Sequence, residues 1–352
     1  MSFFTQALLF WNNKKNKRDM PWKGIKDPYK IWLSEIILQQ TRVEQGWAYY
    51  EKITKRFPSI QQLAAAKDEE VFKLWEGLGY YSRCRNLLFT ARYISNNLNG
   101  KFPVLFEEVL QLKGVGGYTA AAICSFAYDA PHAVVDGNVM RVIARYLGIE
   151  TPIDTAEGKK KFQHLADLML DDKQPGKYNQ AIMDFGATIC KPKLPLCVEC
   201  PLSDQCVALK NNQVQQLPVK SKKLTIIDRY FVYLIIKTPS GYLCRKRKSG
   251  DVWAQLHEFV LLELDNKETP NEILTSGKLN KLLSVPFKVK EHSDWIMQRL
   301  THRRMHAIFL HLETKQSVGL QDYEVVKDKK MAFLAFPKII QQYLKERKQF
   351  DE

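Results

Sequence analysis

Between Leu110 and Arg141 the chain reads LQLKGVGGYTAAAICSFAYDAPHAVVDGNVMR, an order of residues that few folds accommodate. An apolar helical run ends at Leu112, a Gly-Val-Gly turn occupies 114 to 116, and a helix of small residues is predicted from Tyr118 to Phe126. The result is two helices joined by a tight hairpin. Glycine at 114 and 116 permits positive φ and leaves no Cβ in the way, so several amides at the start of the next helix can point at one anion. A nucleic-acid phosphate fits that description. Further on, Asp136 precedes Gly137 and Asn138 at the start of another predicted helix, Val139 to Leu147. Taken alone, Asp136 reads as an N-cap.

The chain has 352 residues, long for one core, and 45% of them are apolar, so two or three globular domains are expected. Its net charge of +15 suits a polyanionic partner. Basic surfaces also meet anionic membranes, but a phosphate-binding hairpin favours nucleic acid. No apolar run reaches the roughly 18 residues of a membrane span. Met1 to Trp11 is apolar first and basic afterwards (Lys14, Lys15, Lys17, Arg18), the reverse of a secretory signal, so a cytoplasmic location is expected.

Of the seven cysteines, Cys190, Cys197, Cys200 and Cys206 form one tight group with gaps of six, two and five residues. In an unexported chain such a group argues for metal rather than disulfides. Four thiolates in one short loop can hold Zn²⁺ or a [4Fe–4S] cluster, and spacing alone leaves both open. Lys191 and Lys193 lie in the first gap.

Asp27-Pro28 reads as an N-cap followed by proline at the first helical position, opening a helix through Gln39. Glu35 lies inside it, in Trp32-Leu33-Ser34-Glu35-Ile36-Ile37-Leu38. A carboxylate with apolar neighbours on most sides loses solvation, which raises its pKa and lets it donate a proton near neutrality. Gln39, Gln40 and Thr41 close the helix with polar groups. Helices are also predicted for Phe3–Trp11, for Val71–Trp75 and Ser82–Ile94 around Glu76-Gly77-Leu78-Gly79-Tyr80-Tyr81, and for Lys159–Phe185 with a break at Gln174-Pro175-Gly176.

Residues 216–227, polar and basic around Pro218, read as a linker. Beyond it the hydrophobic period changes to two. Strands are predicted at Phe231–Ile236, Tyr242–Arg245, Phe259–Leu264 and Met305–Leu312, with a closing helix at Pro337–Glu346.

GVGxYTAxAI followed by VDGNVxR resembles the helix-hairpin-helix DNA glycosylases, and within them the adenine-specific, MutY-type branch. The resemblance covers nearly the whole chain. It implies a mainly α N-terminal part, a six-helix barrel plus an iron–sulfur cluster domain, over 1–215. An α+β, Nudix-like C-terminal domain is implied over 228–352.

SExxLQQT matches Ser34 to Thr41 and makes Glu35 the catalytic acid, with Gln40 slipping into the base stack. Met20-Pro21-Trp22 resembles the segment lining the adenine pocket, which implicates Trp22. GLGYYxRxRN matches the wedge loop and makes Tyr80 the wedge, with Arg83 and Arg85 on phosphates. Asp136 becomes the anionic partner of Glu35, set by Asn138, and Tyr118 orients that second carboxylate. Gly114 and Gly116 contact the DNA backbone.

The C-x6-C-x2-C-x5-C pattern is that of the superfamily's iron–sulfur loop, which implies a [4Fe–4S] cluster on Cys190, Cys197, Cys200 and Cys206. In the second half, Trp253 to Phe259 matches the Nudix WxxLxEF segment, but residues 260–285 lack the glutamate run a Nudix hydrolase needs. Binding rather than hydrolysis is expected there. Leu300-Thr301-His302 stands where the family has Phe-Ser-His, so Thr301 and His302 are implied to read 8-oxoguanine opposite the adenine.

The implied activity is that of a monomeric, monofunctional glycosylase removing adenine from 8-oxoguanine:adenine mispairs in double-stranded DNA. Bifunctional relatives carry GVGxKTA, whose lysine forms a Schiff base. Here the position is Tyr118, and Lys113 lies before the turn, so strand cleavage is expected to be absent.

Overall fold

A computed structural model describes residues 2–221, 225–248, 250 and 252–347. Part of the predicted linker, 222–224, and the last residues of the chain lie outside the described ones. Two compact units are found: Met1–Ala66 with Arg85–Lys223, and Lys67–Cys84 with Leu224–Glu352. Nothing in the local sequence marks a break at either end of the 67–84 segment.

The first unit is helical. It opens with α1 (Phe3–Lys14), α2 (Pro28–Leu38), α3 (Val43–Arg56) and α4 (Ile60–Ala65). After α5 (Asp68–Leu74), which belongs to the second unit, come α6 (Tyr81–Asn97), α7 (Phe106–Leu110), α8 (Gly117–Tyr128) and α9 (Gly137–Leu147). It closes with α10 (Ala156–Met169), α11 (Pro175–Thr188) and α12 (Val207–Lys210).

Local chemistry sets the ends of α2. Asp27 caps its start, its Oδ1 accepting from the Tyr29 amide at 3.0 Å ahead of Pro28. The predicted extension through Gln39 stops at Leu38, because the chain turns there and Gln40 takes a left-handed φ of 55°. The predicted run Lys159–Phe185 divides into α10 and α11 at Pro175, which starts the second helix.

Residues 31–37 of α2 and 119–125 of α8 are buried without a break, so neither helix has a solvent face and both lie inside the unit. They run antiparallel. Gln39, at the end of α2, donates to the Gly114 carbonyl just before α8 at 3.4 Å, whereas Lys26, before α2, pairs with Asp129 just after α8 at 2.5 Å. A second part of the core joins α1, α9, α10 and α11, where Trp11 meets Phe185 edge to face at 5.1 Å.

The second unit holds a mixed sheet of β1 (Ile227–Thr238), β2 (Gly241–Lys246), β3 (His257–Leu264), β4 (Lys288–His292), β5 (Ile296–Arg299), β6 (Arg303–Glu313) and β7 (Glu324–Val326). The order is β4-β6-β1-β3-β2-β7, with β5 also on β6. β1 and β6 run parallel, Val232 opposite Ile308, and the other pairs are antiparallel.

Alternation along β1 sends Val232, Leu234 and Ile236 to one face, where α13 (Pro270–Thr275) and α14 (Lys278–Leu283) bring Ile273, Leu279 and Leu283. On the other face Tyr233 stacks on Phe309, and Phe309 on Tyr343 of α16 (Lys338–Glu346), with α15 (Asp328–Met331) before it. The 67–84 segment is fastened here: the Phe336 amide donates to Glu76 at 3.1 Å.

Candidate active site and cysteine loop

α2 delivers Glu35 into the interior, where it is 5% exposed. Burial pushes its carboxyl up from 4.5 to about 7, and nearby Asp136 pushes in the same direction, while a hydrogen bond from the Tyr118 hydroxyl pulls it down. The acid therefore keeps its proton near neutrality while remaining able to release it. Tyr118, at the start of α8, has its hydroxyl pushed far above the ordinary phenol range by burial and by both carboxyls.

Asp136 caps α9. Its Oδ1 accepts from the Val139 amide at 2.7 Å and its Oδ2 from Asn138 Nδ2 at 2.6 Å. Burial raises this carboxyl too, and the two hydrogen bonds together with the Arg141 charge oppose that rise. Arg141 completes the row: its Nη2 donates to Asn138 Oδ1 at 2.9 Å and to the Gly186 carbonyl at 2.7 Å, and its Nε to the Cys190 carbonyl at 2.8 Å. The N-cap read from the sequence is thus present, and the same residue is the candidate functional carboxylate.

Beside Glu35 lies a cavity of about 270 Å³, lined by Trp22, Ile31, Ser34, Glu35, Phe126 and Gln180 among others. Trp22 is 7% exposed and packs edge on against Tyr50 at 5.2 Å. The recess therefore sets polar and apolar groups beside an acid held in its protonated form, a combination typical of ligand and catalytic sites.

The hairpin departs from expectation at one glycine. Gly114 takes φ of 84°, and a Cβ there would come 2.8 Å from Asn86 Cβ, so both conformation and space call for glycine. Gly116, however, caps α8 at φ −104°, in extended backbone any residue adopts. What it offers is open space: nothing lies within 4 Å of an added Cβ, and no side chain caps the amides that follow. Gln40, close to this end of α2, is exposed in its left-handed conformation.

In the second unit Tyr80 has φ of 49° and is 43% exposed, a strained and displayed aromatic. Its hydroxyl bonds to Thr301 Oγ1, and the Arg83 guanidinium lies 5.2 Å from its ring. Thr301 and His302 are exposed in the turn between β5 and β6, closed by the Leu300 amide donating to the Arg303 carbonyl at 2.8 Å.

Cys190, Cys197, Cys200 and Cys206 line one pocket, walled by Ile189, Leu196, Leu209 and Val214. Burial, with crowding by the other sulfurs, raises the Cys197 and Cys206 thiols and pushes Cys200 up to about 12. A positively charged iron centre relieves both penalties, so the donor set fits a thiolate-bound cluster. Among the described residues no three such side chains stand close enough to share a single metal ion, and a four-iron cluster spreads its ligands more widely than one ion does.

Arg145, 3% exposed, clamps this loop from α9. It donates from Nη1 to the Lys191 carbonyl at 2.7 Å and to Cys190 Sγ at 3.4 Å, and from Nε to the Leu217 carbonyl at 3.0 Å. The sequence reading gave Arg141 and Arg145 no role. Their signal was present all the same: two arginines one turn apart among the apolar residues of Val139–Leu147.

Comparison with known proteins agrees with this arrangement. The HhH-GPD superfamily base excision DNA repair protein family matches residues 33–167, which span Glu35, the hairpin and Asp136. A solved thermostable thymine-DNA glycosylase is 30% identical, covering 59% of this chain and 95% of that one with a TM-score of 0.55. The class is therefore that of helix-hairpin-helix base excision repair glycosylases.

Within it, the adenine DNA glycosylase of Buchnera aphidicola subsp. Schizaphis graminum (strain Sg) is 36% identical over 277 residues, 79% of each chain. That of Mus musculus is 41% identical over 223 residues, 61% of this chain and 43% of the relative. The chain belongs to the adenine DNA glycosylases, hydrolases of N-glycosyl bonds in base excision repair.

Proposed function

We propose that this enzyme excises adenine paired with 8-oxoguanine or guanine in duplex DNA, with Glu35 as proton donor and Asp136 as its anionic partner. The observation that carries the reading is the coupling of these two carboxyls around Tyr118, Glu35 being raised to about 7.

A base inside a duplex cannot reach a buried acid, so the target nucleotide is first flipped, at a cost of a few kcal/mol. Tyr80 wedges the stack, Gln40 slips into the bases, and the amides after Gly116 hold a phosphate, aided by Arg85, Lys191 and Lys193. The adenine enters the recess lined by Trp22. Glu35 protonates it at N7, the C1′–N9 bond breaks with oxocarbenium character, and Asp136, held by Asn138 and Val139, stabilises the cation or traps it covalently until water adds at C1′. The product is an abasic site. Tyr118 cannot form a Schiff base, so strand cleavage is not part of the reaction.

The four cysteines would hold a [4Fe–4S] cluster, whose chemistry here is structural or electron-handling. Arg145 and Arg141 connect that loop to the Asp136 end of α9.

The second unit takes the role of a Nudix-like reader without hydrolase activity. Glu258, in the WxxLxEF-like stretch, is fully buried and held by Arg245 at 2.8 Å and by Arg247, an ion-pair use rather than a metal-binding one. Thr301, able to donate and accept, faces the oxidised guanine edge with His302 beside it.

The test is incubation with duplexes pairing adenine with 8-oxoguanine, guanine, cytosine or thymine, scored for base loss before and after alkali. Alkali-dependent breaks with the first two partners are expected. Equal activity on all four would overturn the opposite-base assignment, and breaks without alkali would overturn the monofunctional one.

A further inference from the structure

The cavity beside Glu35 has an outer rim that no step above uses. It runs along the antiparallel pair α2 and α8, with Ser34 and Glu35 at the inner end, Ile31 and Phe126 in the wall, and Gly24, Lys26, Asp129 and Lys177 at the outer end. Those last four are all solvent-exposed. Tyr118 and Asp136, which act on Glu35, do not line it.

Direction follows from the helices. The glycine hairpin precedes α8 and Asp129 follows it, and its 12 residues span about 18 Å at 1.5 Å per residue. A nucleotide drawn from a duplex anchored at the hairpin arrives from that end. The rim is then an opening on the far side.

We propose that this rim is the exit for the excised base: free adenine leaves between Lys26 and Asp129 while the abasic duplex still covers the front. The proposal rests on the reading of Glu35 as the site of base removal. It rests equally on the hairpin as the duplex anchor: with duplex held there, a base released at the inner end of the cavity meets the DNA on that side, while the rim residues Gly24, Lys26, Asp129 and Lys177 face solvent.

The local structure suits a door. The Lys26–Asp129 bond is 2.5 Å long, but its side chains are 58% and 53% exposed, so breaking it costs little. Asp129 is the fixed post: it sits at φ 51° after α8, and Gly176, where a Cβ would come 2.9 Å from Asp129 Oδ1 and 2.5 Å from the Ser125 carbonyl, lets α11 begin against it. Nearer the N-terminus the loop is pinned, since fully buried Asp184 takes Arg18 and Lys23 at 2.9 Å each. Lys26, beyond those anchors, is the moving leaf.

The experiment is a single turnover of full-length enzyme on an excess-bound adenine:guanine duplex, with free adenine followed by rapid filtration while product duplex stays bound. Lys26→Ala and Asp129→Ala should speed adenine release about threefold or more, and Lys177→Trp, which plugs the rim, should slow it about tenfold, all with cleavage rates within about twofold of wild type. Lys26→Glu should behave as an open door and the Lys26→Glu, Asp129→Lys double variant should close it again, a pattern that misfolding cannot produce. Adenine appearing only as the duplex dissociates, or release unchanged in all the variants despite normal cleavage, would overturn the exit. Loss of cleavage itself in Glu35→Gln tests the separate reading beneath it.

Discussion

Replacing Glu35 by glutamine keeps the size and shape of the side chain and removes its titration, so it tests burial and chemistry together. The carboxyl stands at about 7 in the folded chain against 4.5 when free, with burial as the main cause. A raised carboxyl favours its protonated form in the fold. Its contribution to stability is therefore fully present below 4.5, declines as pH rises, and is gone above about 7. At 1.36 kcal/mol per pH unit that interval amounts to about 3 kcal/mol.

Glutamine carries no such dependence. Relative to wild type, Glu35→Gln should gain up to about 3 kcal/mol between pH 4.5 and pH 8, roughly 6–12 °C in Tm for a unit of 150–250 residues. The assay is thermal unfolding of both proteins across that range, read on the transition of the helical unit, with single-turnover cleavage measured alongside. A Tm difference that does not change with pH refutes the buried-acid argument. Cleavage within tenfold of wild type refutes the proton-donor role, whose loss should cost about 10² or more.

Wild-type cleavage should fall about tenfold per pH unit above about 7, as Glu35 loses its proton; a rate still level at pH 9 removes Glu35 as the acid. Arg141→Ala should cost about 3–5 kcal/mol in denaturant titrations, because the Gly186 and Cys190 carbonyls and Asn138 Oδ1 lose their buried donor. Arg141→Lys should not restore it, since one ammonium cannot replace the planar fork, and an Arg141→Lys midpoint equal to wild type contradicts this account. In Cys197→Ser, iron content and brown colour should be lost from purified protein; a colourless, zinc-containing wild type would dismiss the iron cluster. Affinity for duplex should fall with salt by about one log unit per log of salt for each phosphate neutralised, and a flat response rules out the backbone anchor.

Much of this was legible along the chain because its signals are local. The Gly114 turn, the Asp27-Pro28 start of α2 and the period-two strands are each decided by residues a few positions apart, and the structure has them. Places where the reading slipped depended on what packs nearby. Gly116 looked like a conformational requirement, yet it occupies ordinary extended backbone and contributes space. Segment 67–84 gives no hint of belonging with the sheet, because its fastening points, such as the Phe336 amide on Glu76, lie some 260 positions away.

Residue types and short spacings were enough to point to a phosphate-sized hairpin and a four-thiol loop, since each is a chemical requirement written within one stretch, whereas Glu35 and Asp136 were singled out by the family resemblance, Asp136 alone reading as an N-cap. That Glu35 and Asp136, about a hundred positions apart, act on the same hydroxyl of Tyr118 was settled only by the packing of α2 and α11 against α8 and of α9 against α11. The raised acid, the arginine row from Asp136 to Cys190 and the exposed ion pair at the cavity rim likewise arise from burial and proximity. Those are properties of the folded arrangement, and no window of sequence contains them.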